Sequence, residues 1–82
     1  MKRLDSIEIK IELIPAHVLK EPGSDREFNV PDFIRVTFEN PGDPLPFIGV
    51  GLDIVEALLD LDGVMKANGI IADVFMFPAV NN

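Results

Sequence analysis

Along residues 6–14, apolar and charged side chains alternate without a break: Ile7, Ile9, Ile11 and Leu13 against Glu8, Lys10 and Glu12. A period of two, with β-branched residues on one side and charges on the other, predicts a strand with one face on a core and one in water. Pro15 ends it, because proline has no amide proton for a ladder. The alternation returns at 33–39, where Ile34, Val36 and Phe38 oppose Arg35, Thr37 and Glu39, with Phe33 flanking the start. Asn40-Pro41-Gly42-Asp43-Pro44 then predicts a turn: proline fixes φ, glycine accepts positive φ, and Asn and Asp bond their own backbone. Residues 45–51 read as a return strand, held to a sheet edge by Pro46.

After Asp53 the period becomes helical. Ile54, Leu58, Leu61 and Met65 form one stripe, Val55 and Leu59 widen it, and Glu56, Asp60, Asp62 and Lys66 lie towards solvent. Asp53 suits the N-cap and Glu56 the capping-box position three residues on. Gly63 weakens the last turn by ~1 kcal/mol relative to alanine. Lys66 suits the negative C-terminal end, and Asn68-Gly69 supplies a left-handed stop. Residues 70–77 come directly after it and are apolar on both faces, Ile70, Ala72, Val74 and Met76 against Ile71, Phe75 and Phe77, with only Asp73 interrupting. A strand of that kind requires cover above and below. Pro78 closes it, and Val80-Asn81-Asn82 reads as a short tail.

Residues 15–32 carry Pro15, Pro22, Gly23 and Pro31 and read as a long connection, with room for one helical turn at 16–21 behind Pro15. The predicted fold is therefore α+β. It is a single domain over residues 1–82, a small mixed β-sheet of about four strands with one α-helix packed on one face, in the order β-β-β-α-β. One right-handed crossover makes 45–51 and 70–77 parallel. A single helix covers one sheet face, so the second face of 70–77 needs another partner. Either the long loop folds Val18, Leu19, Phe28 and Val30 across it, or a second copy of the chain does so. Self-association as a dimer is the favoured expectation, because a small apolar-rich chain gains stability from it. Phe28, Phe47, Ile71, Phe75 and Phe77 are the candidate interface residues, Phe28 in the loop and Phe47 among prolines being the aromatics expected at the surface.

Composition narrows the function classes mostly by exclusion. No cysteine is present among 82 residues, which removes disulfides, thiolate zinc sites and a cysteine nucleophile. The 48% apolar content must supply the core instead. A formal charge of −7 repels nucleic-acid phosphates and anionic membranes, so neither is an expected direct partner. The carboxylates are scattered from Asp5 to Asp73 without an acidic run, which fits solubility. No apolar run approaches the ~20 residues of a spanning helix. Met1-Lys2-Arg3-Leu4 imitates the start of a signal peptide, but Asp5, Glu8, Lys10 and Glu12 break up the apolar segment such a peptide requires. The expected compartment is therefore the cytoplasm.

Candidate chemistry is sparse. His17 is the single histidine and has no partner at motif spacing; a catalytic role would need Asp25 or Glu27 to orient it. Ser6, Ser24 and Thr37 lie in no nucleophile motif, and tyrosine and tryptophan are absent. Gly49-Val50-Gly51 before a helix imitates a dinucleotide loop, but Ile54 occupies the third glycine position and Asp53 puts negative charge where a phosphate would sit. Aligning Asp60-Leu61-Asp62-Gly63 with a calcium loop puts Leu58 at the first ligand and Gly69 at the required glutamate, so calcium binding fails there. No metal or cofactor is expected. The first expectation is a non-enzymatic interaction or assembly module acting as a homo-oligomer, with another protein as a further class of partner. The second is an acidic, phage-type inhibitor that covers the basic surface of a nucleic-acid-binding protein. The third is a small enzyme or ligand binder using His17 and the loop carboxylates.

Overall fold

The first alternation begins earlier than its charged part suggests. In the computed structural model, which describes residues 1–77, β1 (Lys2–Glu8) and β2 (Lys10–Ile14) lie in succession with only Ile9 between them. Pro78 and the tail expected after it lie outside the described residues. β3 (His17–Lys20) and β4 (Glu27–Val30) come next, then β5 (Phe33–Phe38), β6 (Phe47–Gly51), the helix α1 (Ile54–Ala67) and β7 (Ile70–Met76).

β1 pairs in parallel with β7, while β2 pairs antiparallel with β5 and β5 antiparallel with β6. The two ladders meet at Ile9, whose amide donates to the Met76 carbonyl at 3.0 Å. The spatial order is thus β7, β1/β2, β5, β6, and β6 and β7 run the same way at opposite edges, as the crossover predicts. The fold is α+β with one helix on one face. Seven strands replace the expected four or so, because the first strand is split and residues 15–32 contribute two more.

The helix forms where its caps predict. The Asp53 carboxylate accepts from the Glu56 amide at 2.8 Å, Gly69 takes a φ of 78°, and the Gly69 amide donates to the Lys66 carbonyl at 3.0 Å. Lys66 also pairs with Asp62 at 2.8 Å. Ala57, Leu61 and Met65 are buried against Ile7, Ile9, Val36, Phe38 and Ile70, and this is the core. The helix sits directly on β6. A Cβ at Gly51 would fall 2.5 Å from the Ala57 nitrogen, and one at Gly49 would fall 2.5 Å from the Ala57 carbonyl oxygen. The two glycines of the dinucleotide-like string therefore serve close helix–strand packing. Asp60 accepts from the outward Val50 amide at 2.8 Å, which caps part of the free β6 edge.

Three expectations need correction. Val55 and Leu59 do not widen the buried stripe; they are 63% and 67% exposed on the outer side of the helix. Strand β7 does not keep one alternation from end to end. Ile70 and Ala72 pack on the core in its first half and Phe75 in its second, as Leu4 and then Ile7 do in β1. An odd three-residue step places both residues on one face only if the strand changes phase between them. The β1–β7 register lacks an Asp5–Asp73 pair at that point, and the amides of Lys2 and Ile9, an odd distance apart, both donate to the β7 chain. One helix thereby covers Ile70, Ala72 and Phe75 together, while Val74 and Met76 stay half exposed. Finally, residues 15–32 are neither a loose connection nor a helical turn, and they do not fold back across the sheet. They form a hairpin.

Candidate interaction surface

The hairpin continues the β2–β5 ladder outwards. In the base, Lys10 faces Thr37 and Ile14 faces Phe33; in the arm, His17 faces Val30 and Lys20 faces Glu27. The step from base to arm therefore advances both strands equally, from Ile14 to His17 and from Phe33 to Val30. Residues 10–38 are one β-ribbon of constant register. It is interrupted only where Pro15 stands opposite Asp32 and Ala16 opposite Pro31, since each proline removes a ladder donor. At the tip, Pro22-Gly23 occupies the central turn positions. Gly23 takes a φ of 76°, the Ser24 amide donates to the Glu21 carbonyl at 3.2 Å, and the Glu21 amide donates to the Arg26 carbonyl at 3.0 Å.

Pairing is constant, but hydrogen-bond phase is not: without amide protons on Pro15 and Pro31, the bonded pairs are Ile14–Phe33 in the base and His17–Val30 in the arm, and the Glu21 amide donates to the Arg26 carbonyl on the arm's phase. Leu19 and Phe28 therefore continue the face of Ile14 and Phe33, while Ile11 and Leu13 share the other face with Val36 and Ile34. Lys10, Glu12, Arg35 and Thr37 share the face of Ile14 and Phe33 in the base, and Val18 and Asn29 share a face with Lys20 and Glu27 in the arm. Glu12 accepts from Arg35 at 3.0 Å and lies 3.9 Å from Lys10. The apolar side of the ribbon thus changes at the joint, where Ile14 and Phe33 are partly buried, and the helix covers the β5 side of the base. α1 has 14 residues, about 21 Å at 1.5 Å per residue, whereas the run from Lys10 to the turn at Pro22 spans about 40 Å. Apolar side chains lie open in two places: on β2, where Ile11 and Leu13 are 41% and 70% exposed although they face Val36 and Ile34, and in the arm, where Leu19 and Phe28 are 52% and 50% exposed. Among the described residues, β3 and β4 pair with each other and pack substantially on no other element.

The candidate residues divide along these lines. Phe28 and Phe77 are half exposed, whereas Phe75 and Phe47 are partly buried against the core and Ile71 is partly buried. Phe47 stacks on Phe38 with ring centroids 6.4 Å apart, so it belongs to the core rather than to the surface expected for it. His17 stands at the base of the arm with Nδ1 2.9 Å from the Pro15 carbonyl oxygen. Asp25 lies in the tip, and Glu27 is paired with Lys20 on the other face of the ribbon. The arm therefore does not bring the three together. The exposed ribbon residues Ile11, Leu13 and Leu19 and the helix-surface residues Val55 and Leu59 are absent from the expected interface. The sequence does carry a signal for the first group: 15–20 and 27–32 mirror each other about Gly23-Ser24 with one proline in each limb.

An open groove of about 690 Å³ lies elsewhere, between β1 and the chain at 37–41. Leu4, Ile9, Phe38 and Pro41 give it an apolar lining, and Lys2, Lys10, Glu8 and Glu39 stand at its sides. It is wide open. Among the described residues no group of His, Asp and Glu side chains could hold a metal ion, and no helix is long and apolar enough to cross a membrane. Comparison with protein-family models, curated proteins and solved structures finds no match to this chain.

Proposed function

We propose that this protein is a non-enzymatic interaction and assembly module that acts as a homo-oligomer. The observation that carries this is the β-arm, a two-stranded ribbon whose apolar face, with Leu19 52% and Phe28 50% exposed, no other element covers among the described residues. Isolated hairpins are marginally stable in water, so an arm of this length is best held by a partner. The size of the exposed surface agrees. The chain exposes 6077 Å², against about 4,850 Å² for a compact monomer of 9.0 kDa, and its radius of gyration is 15.2 Å, against about 12 Å for a compact domain of this length.

The arm can be removed without touching the core. Ile14 and Phe33 face each other in the base ladder, so an Asn-Gly turn replacing residues 15–32 closes β2 onto β5 as a two-residue hairpin. The intact protein is expected to show a multiple of the chain mass by light scattering at micromolar concentration. The shortened protein is expected to show a single-chain mass while keeping its circular dichroism and a cooperative unfolding transition. A single-chain mass for the intact protein would refute the assembly role.

A further inference from the structure

Resting on that role, we propose that two copies pack together through the open faces of their sheets, the face of each that carries no helix. Gly49 and Gly51 mark the helix side of β6, where they pair with Val36 and Ile34. Arg35 with Val50, and Thr37 with Ile48, therefore point to the other side. Val74 and Met76 flank the core-facing Phe75 and lie on that side too. Ile48, Val50, Val74 and Met76 are each 43–52% exposed. Leu19 and Phe28 share the face of Glu12, Ile14, Phe33 and Arg35, so the same open face runs on from the body into the arm. Among the described residues no other element packs substantially on it.

Charge and symmetry select a second copy as the occupant. Residues 53–67, on the helix side, hold Asp53, Glu56, Asp60 and Asp62 against Lys66, so two helix sides repel each other. The open face carries opposite charges side by side, with Glu12 3.0 Å from Arg35 and 3.9 Å from Lys10. Glu8 and Glu39 sit past the end of β5, at the rim. A two-fold axis running along the ribbon between β2 and β5 stacks the sheets and lays each of these strands over the other strand's copy. Glu12 of one chain then meets Arg35 of the other, and Leu19 meets Phe28. β6 of each copy lies on the β1–β7 side of the other, bringing Ile48 towards Met76. The arms supply Leu19 and Phe28 at the axis, so loss of the arm removes apolar contact from the middle of the pair. The excess exposure of about 1,200 Å² over a compact monomer exceeds the roughly 800 Å² per partner of a standard interface. The contact is isologous and closes at two chains.

Charge reversal tests this packing. Glu12→Arg alone and Arg35→Glu alone each set like charges against each other across the axis, so each variant is expected to show a single-chain mass. Mixed together, the two variants are expected to form a two-chain species with one chain of each. A fold damaged by loss of the Glu12–Arg35 pair would not be restored by mixing, and circular dichroism checks each variant. The chain carrying both Glu12→Arg and Arg35→Glu keeps the pair and is expected to associate with itself as the parent does, while excluding the parent from its dimers. Free mixing of doubly reversed and parent chains overturns the axis. Single variants that associate as the parent does, or a mixture of well-folded variants that stays at single-chain mass, overturn the open face as the contact and leave the assembly role standing. A single-chain mass for the unmodified protein overturns both.

Discussion

The base of the ribbon and its arm share one sequence pattern and one register, yet only the base has a partner. Val36 and Phe38 lie buried under α1, while Leu19 and Phe28 repeat the same alternation in water. The two regions differ in reach. The helix sits on β6, and β6 ends at Gly51 opposite Ile34, so the arm beyond that level has no helix above it. Alternation in a sequence shows that one side of a strand is apolar. What lies on that side depends on the lengths and connections of the other elements.

Substitutions that separate core from arm sharpen this contrast. Leu61→Ala empties a fully buried site under the helix and is expected to cost about 3 kcal/mol, read as a fall in the urea midpoint. Phe28→Ala, measured at a dilution where the protein is one chain, is expected to cost less than about 0.5 kcal/mol, and to remove the associated form at higher concentration. Equal losses at the two sites would mean that the arm is packed on its own body after all. The glycines give a second, smaller contrast. Gly49→Ala pushes a methyl into the helix backbone and is expected to cost about 1–3 kcal/mol of global stability. Gly23 has open space around it but a φ of +76°, so Gly23→Ala carries only the backbone penalty of about 1–2 kcal/mol, confined to the arm. Hydrogen exchange of arm amides should therefore speed up while the body's unfolding transition stays in place. A body transition that falls with Gly23→Ala would break the separation.

The parts legible in the sequence are those set by local chemistry. Asp53, Gly69 and the 54–65 spacing place the helix to within a residue, and the alternations at 6–14 and 33–39 place two strands. The crossover to residues 70–77 also emerges from element order. Three features stay hidden because each depends on a non-local match. Prolines at 15 and 31 look like breakers of a loop until the register sets them on facing strands, where they interrupt one ribbon at one point. The two apolar faces of 70–77 suggest double cover until β1 and β7 change phase together. Val55 and Leu59 fit a broad stripe by spacing, but Gly49 and Gly51 seat the helix so closely on its Ala57 side that its outer side stays in solvent. The candidate surface is half visible: Phe28 stands out in the sequence, while Leu13 reads as core because its strand is covered at one end.

The smallest expected effect lies at the opposite end of the molecule from the arm, where Arg3 ties β1 to β7. Arg3 Nε donates to Asp73 Oδ1 and Oδ2 at 3.1 and 3.0 Å, and Nη2 donates to Oδ1 at 2.9 Å. Those hydrogen bonds, helped by the guanidinium charge, hold the Asp73 carboxyl below its usual range against the opposing effect of desolvation. The same bonds raise Arg3, which stays charged throughout. A carboxyl with a lowered folded-state pKa binds its proton more readily in the unfolded chain. Its stabilising contribution is therefore complete above the unfolded value, about 4, and is lost as pH falls through the lower folded value. Both groups are exposed, so the difference between the parent and Asp73→Asn at neutral pH should be slight and should shrink further in salt. Urea midpoints of the two proteins taken from pH 7 downwards should converge below about pH 4. A gap that stays constant or widens on acidification would show that the pair is not held by charge. The arm, which carries no ion pair among the described residues, should keep its pairing signal unchanged between parent and variant over the same range.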